Sequence, residues 1–181
     1  IPNLVYLAPT TKEEYIAMLD WSIEQNEHPV AIKLPGGAMV SGRPVTKNFG
    51  DLNKYEVTQK GSKVALLGLG TFYSLANAVA DEMKSELGID ATVINPYYIT
   101  GLDEELLESL KADHSVVVTI EDGILDGGFG EKIARFYGDS DMKVLNYGLK
   151  KEFLDRYDVE EVLKDNRLDA EMIAEDVKGL L

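Results

Sequence analysis

The sequence predicts an α/β domain in which strands alternate with helices around a mostly parallel sheet. Two observations lead to this prediction. Apolar, β-branched runs such as Lys63–Leu69 and Ser115–Ile120 suit strands that are covered on both faces. Between such runs, apolar residues recur at helical spacing, as in Tyr73–Leu87, and alternation of the two patterns is typical of α/β proteins.

The first 37 residues predict a strand, a helix and a second strand. Either Thr10 or Thr11 can cap the helix, and Glu13 and Glu14 then face its positive end. The turn 35–37, Pro-Gly-Gly, stops the second strand. The predicted elements are strands at Leu4–Ala8 and Pro29–Leu34 and a helix at Thr11–Gln25.

A stretch without helical or strand periodicity, residues 38–54, follows these elements. It is rich in Gly, Ser, Pro and Asn, and we predict that it links two domains, 1–37 and 55–181. In the second domain the predicted strands are Tyr55–Gln59, Lys63–Leu69, Ala91–Ile94, Ser115–Ile120 and Lys143–Asn146. The predicted helices are Tyr73–Leu87, Asp103–Lys111, Gly130–Tyr137, Val159–Lys164 and Ala170–Leu180.

The composition argues against several classes of protein. A formal net charge of −14 disfavours nucleic acid and anionic membrane surfaces as partners, because phosphate binding needs clustered Lys and Arg. The absence of Cys excludes disulfides, thiol catalysis and Cys-based zinc sites, and two His disfavour a multi-histidine metal site. No apolar run approaches the roughly 20 residues that span a membrane. We therefore expect a cytoplasmic protein.

The segment Gly68–Tyr73 lies between a predicted strand and a predicted helix, where a dinucleotide-binding loop would lie. The third glycine of such a loop is replaced by Tyr73, and Asn95 stands where an acid should hold a ribose. These substitutions favour a tight turn over a stand-alone nucleotide-binding domain.

A second glycine-rich turn, Asp126–Gly130, precedes another predicted helix. Glu121 and Asp122 lie close before it, and their charge would oppose a bound phosphate. The glycines more simply allow a close approach to a neighbouring element. The two acids are interpreted as solvated or capping groups, since no nucleophile accompanies them, and no catalytic residue is predicted.

Several motifs occur in the order found in transketolase-like, thiamine-diphosphate-dependent enzymes. They are IPNLVYLAPTTKEEY, VAIKLPGG, NPYYITGLDEELLESL, SVVVTIEDGILDGGFG and KVLNYGLKKEF. The chain resembles the C-terminal portion of these enzymes over nearly all of its length. Within that group it is most similar to the 1-deoxy-D-xylulose-5-phosphate synthase family.

This resemblance implies a three-layer α/β/α domain with a mixed five-stranded sheet whose first strand is antiparallel to the rest. The strand–helix–strand unit before it would be the remnant of a pyrimidine-binding domain. The chain begins at Ile1 and not at Met, which agrees with a start inside a larger protein.

The resemblance also implies an activity for the full-length parent, namely transfer of a two-carbon unit from pyruvate to an aldehyde such as glyceraldehyde 3-phosphate. Thiamine diphosphate and Mg²⁺ would be bound by upstream domains, because the metal-binding GDG motif of the family is absent here. We therefore expect an inactive fragment without its own cofactor or metal. Its partners would be the rest of the parent enzyme, normally a homodimer, and a small-molecule substrate.

The substrate-binding positions implied by the resemblance are Lys33, Gly36 and Tyr97. The family motif R-Y-P-R-G corresponds to residues 33–37, Lys-Leu-Pro-Gly-Gly, and a further family arginine corresponds to Tyr97. Arginine binds a phosphate through a fork of donors that neither Gly nor Tyr can replace. Two outcomes follow: a different or unphosphorylated acceptor aldehyde, which we predict, or a phosphate that is held by basic groups from elsewhere in the dimer.

One alternative keeps the fold but not the chemistry. Related C-terminal domains dock partner subunits in the beta subunits of 2-oxoacid dehydrogenases. An acidic surface and a glycine-rich turn suit docking, for which Asp126 and Phe129 are the candidate residues.

Overall fold

The computed structural model describes residues 1–42 and 44–181. Its strands are β1 Val5–Leu7, β2 Val30–Ile32, β3 Glu56–Gln59, β4 Lys63–Gly68, β5 Thr92–Asn95, β6 His114–Ile124 and β7 Lys143–Leu149. Its helices are α1 Lys12–Glu24, α2 Tyr73–Leu87, α3 Glu104–Leu110, α4 Phe129–Tyr137, α5 Val159–Asp165 and α6 Ala170–Lys178. A short 3-10 helix, Gly70–Phe72, precedes α2.

Five of the strands form one mixed sheet in the order β3-β5-β4-β6-β7. β3 is antiparallel to β5, and the other neighbouring pairs are parallel. The predicted mixed five-stranded sheet, with its first strand reversed, is therefore confirmed.

The sheet lies between two layers of helices. Along β4, Val64 and Leu66 pack towards α2 and α6, whereas Ala65 and Leu67 pack towards α3 and α4. All four residues are fully buried. Because β4 is covered on both faces, its sequence is apolar at every one of these positions, and the three-layer α/β/α prediction is confirmed.

The helix ends follow the local signals in the sequence. The hydroxyl of Thr11 accepts a hydrogen bond from the N–H of Glu14 at 3.2 Å and so caps α1. Gly88, with a left-handed φ of +65°, ends α2.

β1 and β2 form a separate two-stranded parallel sheet with α1 between them in sequence. Leu7 also pairs antiparallel with Tyr98, beyond the end of β5. A third buried cluster joins Leu7, Tyr98 and Met18 of α1 to Phe49 from the predicted linker. The linker segment therefore packs against both predicted domains.

Two strands are longer than predicted. β6 continues to Ile124 and β7 to Leu149, and these two residues pair after an irregularity in the register. In β6 the apolar sequence pattern stops before the strand does, because Glu121 and Asp122 interrupt it. Within the described residues, no helix combines the length and the apolar character that crossing a bilayer requires.

Candidate functional site

The strand–helix–strand unit docks beside the segment that follows β5. The N–H of Ala8 donates to the carbonyl oxygen of Tyr97 at 2.8 Å, and the N–H of Ile99 donates to that of Tyr6 at 2.7 Å. These bonds hold β1 near the carboxyl ends of the parallel strands, which is the edge where α/β sheets bind ligands.

The crevice between the carboxyl ends of β4 and β6 is filled by the chain itself. The connections from these adjacent strands run to opposite sides of the sheet, so this is the position where ligands of such folds bind. Ala8, Pro9 and Lys33 lie there, and Lys33 Nζ donates to the carbonyl oxygen of Asp122. Lys33 Nζ is also 3.6 Å from the Asp122 carboxylate. The remaining pocket measures about 10 Å³.

The turn after β4 is shaped by close packing. Gly70 has a φ of +58°, and a Cβ there would lie 3.3 Å from the Cβ of Ala8. A Cβ at Gly68 would lie 2.6 Å from the Cα of Tyr73. The glycines therefore make a tight turn against neighbouring backbone, as interpreted from the sequence, and Ala8 packs against this turn.

Glu121 occupies the N-terminus of α4. Its carboxylate accepts hydrogen bonds from the N–H groups of Phe129, at 3.0 Å, and Gly130, at 2.8 Å. Glu121 is buried, so the helix end receives its negative charge from within the protein. The capping interpretation of this acid is confirmed.

The docking alternative places Phe129 on a contact surface. Phe129 is instead fully buried in the core below α4, where its ring centroid lies 6.3 Å from that of Tyr55. Asp126 is exposed and lies 3.7 Å from Lys151 Nζ. A substitution of Phe129 would therefore perturb the core before it perturbed any docking surface.

A larger cleft of about 770 Å³ opens between the start of α1, residues 44–47 and the ends of β3 and β5. We call it the polar cleft because hydroxyl, amide, ammonium and carboxylate groups line it. Its walls are formed by Thr10, Thr11, Glu14, Pro44, Val45, Thr46, Lys47, Tyr55, Glu56, Thr58, Tyr73, Asn95 and Tyr97.

Glu14 is the buried acid of this cleft. Its carboxylate accepts hydrogen bonds from the N–H of Thr10 at 2.6 Å and from Asn95 Nδ2 at 3.1 Å. Burial raises the pKa of the Glu14 carboxyl despite these bonds, because the charged form loses hydration. The acid ties α1 to the end of β5.

Tyr97 forms the floor of the cleft in a strained backbone conformation. Its φ is +61°, a left-handed value that costs about 1–2 kcal/mol in a residue other than glycine. The residue is buried, its phenol donates to a carboxylate oxygen of Glu56, and its N–H donates to Asn95 Oδ1 at 3.2 Å.

Lys47 lies over the same tyrosine. Its Nζ is 5.1 Å from the ring centroid of Tyr97 and 5.9 Å from that of Tyr98. Burial lowers the pKa of the Lys47 ammonium, although Glu56, Asp51 and Asp103 act in the opposite direction.

The predicted substrate-binding residues occupy different surroundings. Lys33 lines the small pocket beside Asp122, whereas Tyr97 lines the polar cleft. Gly36 is exposed, and a Cβ there would meet no heavy atom within 4 Å. Their roles remain predictions.

Sequence reasoning did not identify Glu14 and Lys47 as residues of the candidate site. The sequence indicates only that Glu14 is an acid in the first turn of a helix, because its hydrogen-bond partner Asn95 is 81 positions away. Lys47 lies in a segment without periodicity. No local signal could have placed either residue beside Tyr97.

No group of three or more His, Asp or Glu side chains that could hold a metal ion occurs within the part of the chain that the structure describes. The described acids of the polar cleft are instead bound to Thr10, Asn95 and Tyr97.

Comparison with known proteins gives a consistent picture. The family model described as "Transketolase, C-terminal domain" matches residues 53–173. The chain is 32% identical over 183 residues to 1-deoxy-D-xylulose-5-phosphate synthase of Clostridium tetani (strain Massachusetts / E88) and 33% identical over 183 residues to that of Clostridium beijerinckii. These alignments cover 100% and 99% of this chain, but only 29% of each relative.

Solved structures with the same fold include a split-gene transketolase, described as an inactive beta4 tetramer, with a TM-score of 0.80 and 23% identity. The match covers 99% of this chain and 58% of that one. A transketolase variant of Pichia stipitis matches with a TM-score of 0.72 and 18% identity, covering 98% of this chain and 25% of that one.

Proposed function

This chain belongs to the transketolase C-terminal domain family, and from that premise we propose that it is the C-terminal part of a thiamine-diphosphate-dependent transferase resembling 1-deoxy-D-xylulose-5-phosphate synthase. The observation that carries the proposal is the alignment at 32% identity over the whole of this chain, including its first 52 residues, which lie outside the family model. The parent would transfer a two-carbon unit from pyruvate to an aldehyde.

The chain contributes binding surface and not the reacting groups. Thiamine diphosphate, when bound in the parent, supplies the chemistry that carries the two-carbon unit, and the rest of the parent would hold it with Mg²⁺. The described residues support a positioning role: Lys33 fastens the first domain to Asp122, and Glu14 fastens it to Asn95. The fragment alone would be inactive.

The domain boundary within residues 38–54 is part of this proposal. Residues 1–37 form their own small sheet, which supports assigning them to the preceding pyrimidine-binding domain. Phe49 is buried beside Met18 and Tyr98, so the linker would act as a spacer fixed between the two domains.

We propose further that the acceptor aldehyde is not held through its phosphate in the manner of the family. Lys33 is already engaged by Asp122, and Gly36 has no side chain. Tyr97 presents a buried phenol that is bound to Glu56. Each of the three positions therefore lacks an arginine fork directed at a ligand.

For the parent we propose a cytoplasmic homodimer whose partners are its own remaining domains and small molecules. The resemblance supports the dimer. The net charge of −14 supports the exclusion of nucleic acid and anionic membranes as partners.

The proposed cofactor class is tested by reading the coding sequence upstream of Ile1 and in the neighbouring genes. We expect a GDG…N motif there, either in the same reading frame or in a separate subunit. In parallel, calorimetric titration of the 181-residue chain with thiamine diphosphate and Mg²⁺ should give no heat of binding. Micromolar binding of thiamine diphosphate to the 181-residue chain alone would refute the assignment of the cofactor site to the other domains of the parent.

A further inference from the structure

We propose that the polar cleft binds a small hydroxy carboxylic acid and that Lys47 holds its carboxylate group. The proposal concerns binding by this chain alone. Its test is therefore independent of the activity that we propose for the parent. The proposal rests on the position and the contacts of Lys47.

Among the residues that the structure describes, no acidic side chain forms an ion pair with Lys47. By contrast, Lys54, seven positions later, lies 2.7 Å from Glu105 and 3.3 Å from Asp103. The neighbours of the Lys47 ammonium are instead the ring faces of Tyr97 and Tyr98. Such contacts orient an ammonium but leave its hydrogen-bond donors available.

The surroundings of Lys47 make an anionic ligand favourable. The side chain is half-buried at the wall of the cleft, and burial lowers the pKa of its ammonium although Glu56, Asp51 and Asp103 act in the opposite direction. The attraction of these acids therefore does not fully replace the hydration that the ammonium has lost, and the difference costs the folded protein free energy. A ligand carboxylate in contact with Nζ would offset that remaining cost.

The charges around the cleft favour a monoanion over a phosphate dianion. Of the described residues that line the cleft, Lys47 alone carries a positive charge, and Glu14 and Glu56 are the acidic residues. A lysine is a compact point charge, which suits one carboxylate and does not provide the fork of donors that a dianion prefers. The acids that act on Lys47, namely Glu56, Asp51 and Asp103, repel each negative charge of a ligand, so a dianion is disfavoured more than a monoanion.

The acids of the cleft explain why the ligand should carry hydroxyl groups. A carboxylate is an acceptor, and the cleft also presents the hydroxyls of Thr46 and Thr10. Hydroxyl groups can donate to the carboxylate of Glu14, which has lone pairs beyond the two bonds that it accepts, and can exchange hydrogen bonds with the threonines. A three- or four-carbon hydroxy acid such as glycerate combines both kinds of group in a size that a cleft of about 770 Å³ accepts.

The test is calorimetric titration of the 181-residue chain at low ionic strength with four probes: glycerate, glycerol, glycerol 3-phosphate and inorganic phosphate. We expect glycerate to bind most tightly. Lys47→Met should weaken glycerate binding by about tenfold or more, since a charged hydrogen bond is lost. Lys47→Arg should retain binding within about threefold, and Lys54→Met, the control at a paired lysine, should leave it unchanged.

Thermal unfolding of each variant separates loss of the ligand contact from loss of the fold. Because Lys47 is partly desolvated and forms no ion pair with a described residue, Lys47→Met should melt at or above the wild-type temperature. Equal binding of glycerate by wild type and a folded Lys47→Met variant would overturn the proposal. So would tighter binding of either phosphate probe, equal binding of glycerol, or a folded wild type that binds none of the four.

Discussion

Glu121 accepts a hydrogen bond from the backbone N–H of Phe129 at 3.0 Å and thereby closes the N-terminus of α4 with a buried carboxylate. A second bond of 2.8 Å, from the N–H of Gly130, uses its other oxygen. Two acids at the carboxyl end of a parallel strand can suggest acid–base catalysis. In this protein the buried acid of the pair is a structural cap.

The first prediction follows from this cap. Glu121→Ala leaves two N–H groups of a helix end without their acceptor, and we expect the free energy of unfolding to fall by about 2–3 kcal/mol. Chemical denaturation measures it. Glu131→Ala is the control, because Glu131 is exposed and accepts a single bond of 2.9 Å from Gly127. That variant should lose less than about 1 kcal/mol. Equal losses in the two variants would contradict the assignment.

The second prediction concerns Gly68 in the turn that resembles a nucleotide loop. A Cβ there would lie 2.6 Å from the Cα of Tyr73 and 2.7 Å from the Cβ of Ala76, so Gly68→Ala must push α2 away from β4. We expect a loss of about 1–3 kcal/mol in the free energy of unfolding. Gly37→Ala, which meets no heavy atom within 4 Å, should change it by less than about 0.5 kcal/mol. A neutral Gly68→Ala would show that the glycine does not serve packing.

The third prediction is a pH dependence due to Glu14. Burial raises the pKa of this carboxyl in the folded state, so the folded protein binds its proton at a higher pH than the unfolded chain does. The contribution of Glu14 to stability must then fall as pH rises through the folded pKa. The free energy of unfolding of wild type minus that of Glu14→Gln should be larger at pH about 5 than at pH about 7.5, since the unfolded pKa is about 4.3.

Glu13 provides a control of opposite sign one position away. Its carboxylate accepts a hydrogen bond of 2.6 Å from the N–H of Gly42, which lowers the pKa of Glu13. Its contribution is present above the unfolded pKa and is lost as pH falls through the lowered one. The difference between wild type and Glu13→Gln should therefore stay constant from pH about 7.5 to 5 and decrease only below about 4.3. A Glu14→Gln difference that behaved in the same way would contradict the effect of burial.

The fold could be predicted from the sequence because its signals are local. The unbroken apolar run of β4 indicated a strand covered on both faces, and Thr11 and Gly88 marked helix ends through their own hydrogen bonds and dihedral angles. The reversal of β3 has no such signal, since strand direction depends on pairing with β5; only the family resemblance supplied it.

The candidate site could be predicted only in part, for the same reason. The family motif drew attention to Tyr97, but its left-handed φ and its bond to Glu56 depend on tertiary packing. Lys47 lies in an irregular segment and reaches Tyr97 across 50 positions. Contacts of this kind are set by how the segments dock, and spacing along the chain does not encode them.

The fourth prediction concerns the acceptor of the full-length parent. Lys33 is bound by Asp122, and neither Gly36 nor Tyr97 can offer an arginine fork, so a phosphate on the aldehyde should gain little from these positions. We expect similar values of kcat/KM for glyceraldehyde 3-phosphate and glyceraldehyde. Gly36→Arg combined with Tyr97→Arg should raise the ratio of the two by at least about tenfold, or about 1.4 kcal/mol of transition-state binding.

The neighbouring glycine gives this prediction a matched control. Gly36 and Gly37 are both exposed, and neither position has a heavy atom within 4 Å of an added Cβ, so an arginine fits at either one. If the effect depends on the position that matches the family motif, Gly37→Arg with Tyr97→Arg should leave the ratio near that of the wild type. A general gain in positive charge would instead raise it equally in both variants. A wild-type parent that already prefers the phosphorylated aldehyde by several orders of magnitude would show that other basic groups hold the phosphate, and the altered acceptor would have to be abandoned.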